Sequence, residues 1–407
     1  MNKAMSGPIK NLDAHIQSDR IVQIASDLIS CRSDPHYDME YGIAAYLQKF
    51  LSDLGLDVQM QFVESKRYNV IARLAGKPGG KTLMYCGHID VVPPGNEDNW
   101  TTPPFSAHLA EGKLYGRGST DMKGGIASML HVLELFVQHG VRPDGDILLV
   151  LVVDEETTNK GIKTFFKSGI AADACIVGEP TRMHVALGNK GVLGIWLTIK
   201  GKRVHAAIPE QGVNPIYHAS SMIQIIEKYQ KSVLNGRTYE RMGNPTMTVT
   251  MIQAGKELNS VPPQCDMRID RRLVMGETKE NCLKEFEDLL EELKKEIPGC
   301  NCSYRVTTFC PPGTNPEDDP IVKMLCHSID PEAPETVPIG MITGTTEASL
   351  ILENMDIPVV ICGPGDIGDA HIENEFVSVE ELAKGSMVYA RFFQGYFCGS
   401  GAADDAG

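Results

Sequence analysis

Apolar residues in the first half of the chain recur at two spacings. In "SDRIVQIASDLISC" (18–31) and "MEYGIAAYLQKFLSDLG" (39–55) they return every three or four positions, which predicts helices. "DVQMQFV" (57–63), "YNVIARLAG" (68–76) and "KTLMYCGHIDVV" (81–92) read as strands, the last stopped by Pro93-Pro94. A helix from Gly124 to about 139, a strand at "DILLVLVVD" (146–154), a helix near 160–168 and a strand at "DACIVG" (173–178) continue the alternation. The pattern predicts an α/β domain around a central mixed, mostly parallel sheet.

From Gly188 the texture changes. "GVLGIWLTIKGKRV", "PTMTVTMIQAG" and "CDMRIDRRL" alternate, while "NPIYHASSMIQIIEKYQKSV" and "TKENCLKEFEDLLEELKKEI" are amphipathic helices. This β-α-β-β-α order, ending near "SYRVTTF", predicts an inserted ferredoxin-like α+β domain over 188–310. The first pattern then resumes, with a helix near 321–328, strands around 336–342 and at "PVVICG", and a closing helix "VEELAKGSMVYARFFQGYF". The expected organisation is a discontinuous domain, 1–187 with 311–398, the insertion at 188–310, and a small, polar, disordered tail at 399–407. The 407 residues exceed what one hydrophobic core holds, which agrees with two domains.

Composition narrows the partners. With 53 acidic against 38 basic residues the net charge is -15, which argues against nucleic acid or an anionic membrane. The eleven cysteines show no C-x-x-C and an odd total, which suits reduced thiols in a cytoplasm. The N-terminus has no signal-peptide core, and the longest apolar run, "ILLVLVV", is far short of the roughly 18 residues of a membrane span. The expectation is a soluble cytoplasmic protein.

The candidate chemistry sits at the ends of predicted strands. In "YCGHIDVVPPG", His88 and Asp90 share one face of an apolar strand. Buried charge needs a partner, so the two form either a structural pair or a metal-binding imidazole oriented by a carboxylate. Asp121 follows a glycine-rich turn in "LYGRGSTDMKGG", where a helix cap is the other reading. "LLVLVVDEETTNKG" ends a core strand in three consecutive acids, and their mutual repulsion favours a nearby cation. Glu179 ends the strand of "CIVGEPT", and His371 lies in the loop "GPGDIGDAHIENEF" after another. Strand ends of one open α/β sheet converge. His88, Asp121, Glu156, Glu179 and His371 then supply two imidazoles and three carboxylates. That set suits two zinc-like ions, with one carboxylate bridging and each ion taking a histidine and a carboxylate of its own. Glu155 is left free to move a proton, and Asp90 to accept the outer N–H of His88. No H-E-x-x-H occurs, which excludes a mononuclear protease of that kind.

"GHIDVVP", "LYGRGSTDMKGG", "DEE", "GEPT", "HAAIP..GVNP", "NSVPP" and "GPGDIGDAHIENE" together resemble, in order over about 80–380, the dinuclear zinc metallopeptidase group. That group includes acetylornithine deacetylase, succinyl-diaminopimelate desuccinylase, aminoacylase and glutamate carboxypeptidase. The resemblance implies two Zn²⁺ per chain, with Co²⁺ or Mn²⁺ as alternatives. It makes Asp121 the bridge, gives His88 and Glu179 to one metal and Glu156 and His371 to the other, and makes Glu155 the general acid/base. It further implies that the insertion is a lid that forms a homodimer. His205 of "VHAAIP" would reach the neighbouring subunit's site as an oxyanion donor, and Asn259 and Arg272 would hold the substrate carboxylate, with Arg271 the alternative one position away. "HAAIP" departs from the His-Ser of many members and leaves the histidine intact. The implied activity is cleavage of the amide bond in a small N-acyl amino acid. A dipeptidase or carboxypeptidase of the same family is the alternative, and a non-catalytic binding homologue the remote one.

Overall fold

The computed structural model describes residues 12–398 except 36 and 38; the expected tail at 399–407 lies outside the described residues. The chain divides into two compact units. The first comprises 1–188, 314–340 and 346–407, and the second 189–313 and 341–345.

The first unit is built on a nine-stranded sheet, with strands in the order Asp57–Glu64, Arg67–Leu74, Gly145–Val152, Lys81–His88, Ala174–Val177, Val359–Ile361, Val185–Asn189 and Gly313–Thr314, and with Ile339–Ile342 beside Val185–Asn189. Its centre is parallel: Lys81–His88 runs alongside both Gly145–Val152 and Ala174–Val177, and Val359–Ile361 continues in the same direction. The flanking pairs are antiparallel. The central strands are mostly apolar along their buried stretches because both faces are covered; Leu83, Tyr85, Leu149, Leu151 and Ile176 are all buried. Helices Ser18–Ser30, Gly124–Gln138 and Val379–Cys398 pack together over one another. Tyr389 of the last helix meets Tyr85 edge to face at 5.5 Å and donates its hydroxyl to the Cys362 carbonyl at 2.8 Å. Because the central strands are parallel, their carboxyl ends fall along one edge, where an open α/β sheet places its ligands.

The strand expected to run to Val92 ends at His88. Beyond it the chain peels away: the Ile89 N–H donates to the Val152 carbonyl at 2.8 Å, and the Val91 N–H to the Ser33 carbonyl at 3.3 Å. Period-two alternation therefore no longer governs Asp90.

The second unit has its own core. Strands Thr246–Ala254, Gln264–Leu273, Gly191–Lys200 and Asn301–Cys310 form an antiparallel sheet in that order. Alternate residues Leu193, Ile195, Leu197 and Ile199 turn inward, against Met222 of helix Pro215–Ser232 and Phe286, Leu290 and Leu293 of helix Lys279–Glu296. Both helices start on side-chain caps, Asn214 ahead of Pro215 and Thr278. The order of elements is that of a ferredoxin-like module. The unit's first and last strands are direct neighbours, with Val192 opposite Cys310. In the first unit, the Asn315 N–H donates to the Leu187 carbonyl at 2.8 Å.

Candidate metal centre

Five chain segments meet at the carboxyl edge of the parallel strands. His88, the last residue of its strand, is 1% exposed. Its Nε2 lies 2.9 Å from Asp121 Oδ1 and 3.7 Å from Glu179 Oε1. On the far side of Asp121, His371 Nε2 stands 3.1 Å from Oδ2 and 3.1 Å from Glu156 Oε1. Each oxygen of one carboxylate thus faces a different imidazole. Two donor groups result, His88–Asp121–Glu179 and Asp121–Glu156–His371, and they share Asp121.

Local structure explains how each donor arrives. Asp121 sits in the turn before helix Gly124–Gln138 at φ -117°, ψ 97°, outside the helical region, so its side chain leaves the helix line. Glu155 and Glu156 lie in the turn after the strand Gly145–Val152, and Glu179 just beyond Ala174–Val177. His371 is held at φ 63° in an exposed loop. Glycines allow the close approach near Glu179: a Cβ on Gly363 would meet the Gly178 carbonyl oxygen at 2.2 Å, and one on Gly125 would meet it at 2.3 Å.

Electrostatics sharpen the geometry. Burial and neighbouring carboxylates hold Glu155 and Glu179 well above the usual carboxylate range, and burial beside Asp121 also raises Glu156. Burial opposes a charge on His88, but its contacts with Asp121 and Glu179 raise it well above the usual histidine value. Hydrogen bonds to Asp121 and Glu156 bring His371 to about 10. Asp121 is itself lowered: burial works against its charge, and the two histidines outweigh it. Crowded carboxyls around two imidazoles are a site short of positive charge. The donor set therefore fits a pair of divalent cations bridged by Asp121.

Asp90 does something other than the expected side-chain contact. Its main-chain carbonyl lies 3.0 Å from His88 Nδ1, while its carboxylate oxygen is 3.8 Å away. The carboxylate instead accepts the main-chain N–H groups of Glu155 and Glu156, each at 3.1 Å. Asp90 thus orients the imidazole through its backbone and the Glu155–Glu156 turn through its side chain. Behind that turn, Asp154 is buried against Arg67, which also pairs with Glu40.

Glu347 was not foreseen from sequence. It opens helix Glu347–Met355, is fully buried, and offers a carboxylate within 4.8 Å of donor atoms on Glu155 and Glu179. Neither of its oxygens has a hydrogen-bond partner among the described residues, and burial pushes it up to about 7. An acid at a helix start reads locally as a cap, and "GTTEAS" carries no further signal.

The structure brings the seven acid and histidine positions of the first unit together and places the other three predicted residues in the second unit. His205 is exposed, pairs opposite Ser260 across a two-residue ladder, and accepts the Ala207 N–H on Nδ1 at 3.1 Å. The neighbouring Asn259 accepts the Ala206 N–H through its carbonyl at 2.8 Å. Arg272 bonds Asp270 at 2.8 Å and Thr345 Oγ1 at 3.2 Å and keeps part of its side chain accessible. Arg271 is completely buried and bonds Glu277 at 2.5 Å. Of the two arginines, then, Arg272 is the one whose side chain is accessible.

A model of Peptidase family M20/M25/M40 matches residues 84–395. An acetylornithine deacetylase of Myxococcus xanthus is 32% identical over 362 residues, 88% of this chain and 89% of that protein. A succinyl-diaminopimelate desuccinylase of Roseobacter denitrificans is 28% identical over 393 residues, 92% of this chain and 98% of that one. In fold, the chain is similar to an M20 family metallo-carboxypeptidase of Sulfolobus solfataricus, with a TM-score of 0.78 at 19% identity over 93% of this chain and 100% of that one. Fold and site together define a metal-dependent hydrolase of amide bonds. The chain belongs to peptidase family M20/M25/M40.

Proposed function

We propose that this enzyme removes the acyl group from a small N-acyl amino acid. His88 and Glu179 would hold one Zn²⁺, Glu156 and His371 the other, and Asp121 would bridge them; Co²⁺ or Mn²⁺ would serve in place of zinc. The observation that carries the reading is Asp121, whose two oxygens are divided between two donor groups. When bound, such a pair acts as a Lewis acid on the scissile carbonyl and makes water a stronger nucleophile at neutral pH. Glu155, left out of both donor groups, accepts the water proton and delivers it to the leaving amine. Its raised affinity for a proton, which comes from burial, suits a group that must accept and then donate.

Arg272 and Asn259 are assigned to the substrate carboxylate, where an arginine forks onto two oxygens. His205 is assigned to the developing oxyanion in the partner subunit's site, which makes the enzyme a homodimer through 188–310. The acyl-amino-acid class is supported by relatives named as a deacetylase and a desuccinylase. Among the described residues no helix is long and apolar enough to cross a membrane, and the ten described cysteines are free. A cytoplasmic setting agrees with the thiols.

The test combines metal analysis with a mass-spectrometric screen of N-acetyl and N-succinyl amino acids and dipeptides. Two divalent ions per chain, chelator-sensitive release of a free amino acid from an acylated one, and poor turnover of dipeptides are expected. Full activity in metal-free protein would overturn the reading. Hydrolysis of dipeptides alone would replace it with the peptidase alternative.

A further inference from the structure

The segment that delivers His371 also grips Asp121. Four residues on, Glu375 is fully buried, and its Oε1 accepts the main-chain N–H groups of Thr120 at 3.0 Å and Asp121 at 3.1 Å. Its other oxygen accepts from Arg117 Nη1 at 2.5 Å. The main chains are joined as well. The Gly116 N–H donates to the Glu375 carbonyl at 2.9 Å, the Thr120 hydroxyl donates to the Phe376 carbonyl, and Phe376–Ser378 pairs antiparallel with Lys113–Tyr115. Arg117 is 2% exposed and lies over the Trp100 ring, 5.2 Å from its centroid.

Burying a carboxylate is costly unless its oxygens are satisfied, and here the Thr120 and Asp121 N–H groups satisfy one and Arg117 the other. Asp121 lies outside the helical region, so its N–H takes its acceptor from Glu375 rather than from a helix carbonyl. With that N–H fixed, the Asp121 side chain points so that one oxygen faces His88 and the other His371. We infer that Glu375 is a positioning residue for the metal centre, holding the Asp121 carboxylate between the two donor groups through the Thr120 and Asp121 peptide N–H groups. The inference rests on the two-metal reading above. Glu375 acts from behind Asp121, as outer partners of metal ligands do.

Removing Glu375 alone strands a buried arginine, so the test removes both charges. Arg117→Met with Glu375→Gln keeps a carbonyl oxygen for the two N–H groups, whereas Arg117→Met with Glu375→Met offers them no acceptor. Folding is followed by thermal melts and near-ultraviolet circular dichroism, and Co²⁺ affinity by calorimetry and visible absorption on metal-free protein. The glutamine pair should bind Co²⁺ close to wild type, and the methionine pair about 10- to 100-fold more weakly with altered cobalt absorption. Equal Co²⁺ binding by both folded pairs would overturn the inference and leave Glu375 a structural ion-pair member. Should the methionine pair not fold, Glu375→Asp keeps the charge and withdraws the oxygens by one methylene; weakened Co²⁺ binding supports the inference, and wild-type binding overturns it. A wild-type protein that takes up no Co²⁺ would instead overturn the two-metal reading, and this inference with it.

Discussion

Gly363→Ala isolates the contribution of one close backbone approach to the centre. The added methyl would lie 2.2 Å from the Gly178 carbonyl oxygen, 2.6 Å from the Glu179 carbonyl oxygen and 2.8 Å from the Gly178 carbonyl carbon. Ordinary contact begins at 3.4 Å, so the nearest overlap is 3.4 − 2.2, or about 1.2 Å. All three neighbours are main chain, and no rotamer relieves them. Gly363 cannot simply retreat either, because its carbonyl accepts the Thr181 and Met183 N–H groups at 3.0 and 3.1 Å. The strain is therefore shared with the segment that carries Glu179. Overpacking of this kind costs about 1–3 kcal/mol of stability. A displacement near 1 Å at a catalytic centre costs on the order of 10²-fold in turnover. The assay is a Co²⁺ titration of metal-free protein alongside a thermal melt. Gly363→Ala should weaken the ion assigned to His88 and Glu179 more than the one assigned to Glu156 and His371. Gly42→Ala is the control: nothing lies within 4 Å of its added methyl, and in its helix the change should be neutral or stabilising by about 0.5–1 kcal/mol. Two ions bound at wild-type affinity, with an unchanged melt, would refute the reasoning that Gly363 is required for the position of Glu179.

Two further outcomes separate adjacent roles. Glu155→Gln should keep both ions and lose about 10²- to 10⁴-fold in turnover, whereas Glu156→Gln should lower metal occupancy; the reverse pattern in metal analysis and kinetics would exchange the two assignments. If His205 serves the partner's site, His205→Ala and Glu155→Ala homodimers should each be nearly inactive. Subunit exchange between them should restore activity to about a quarter of wild type, because a hybrid dimer holds one site lacking neither group. Exchange proven by mass spectrometry without recovery would place His205 in its own chain's site or in none.

The donor positions were legible because strand ends are legible: an apolar run that stops at Gly, Pro or a cluster of acids marks where a parallel strand leaves the sheet. His88, Glu156, Glu179 and His371 follow that signature, and Asp121 is marked by a glycine-rich turn before a helix. What was hidden depends on tertiary neighbours. Asp90 was expected to follow strand parity, but the strand had already ended, and its carboxylate turned to Glu155 and Glu156. Glu347 and Glu375 look locally like a cap and a loop acid, and only the fold brings them to the centre. Which of Arg271 and Arg272 is buried, by contrast, could have been read from sequence. Cys265, Met267 and Ile269 set the inward parity of their strand, and Arg271 continues it.

The root of the inserted unit has a consequence for how the chain could have been assembled. Leu187 and Asn315 are already hydrogen-bonded neighbours, and just beyond them Val192 and Cys310 face each other across a ladder. The host therefore sees the insertion as a tight turn, however many residues the excursion contains, and owes little entropy to its length. The long excursion leaves the host sheet at the end of Val185–Asn189 and returns to it at Gly313–Thr314, its neighbour in that sheet. With exit and re-entry side by side, the length of the excursion could change while the pairing of the host strands that bracket it stays the same.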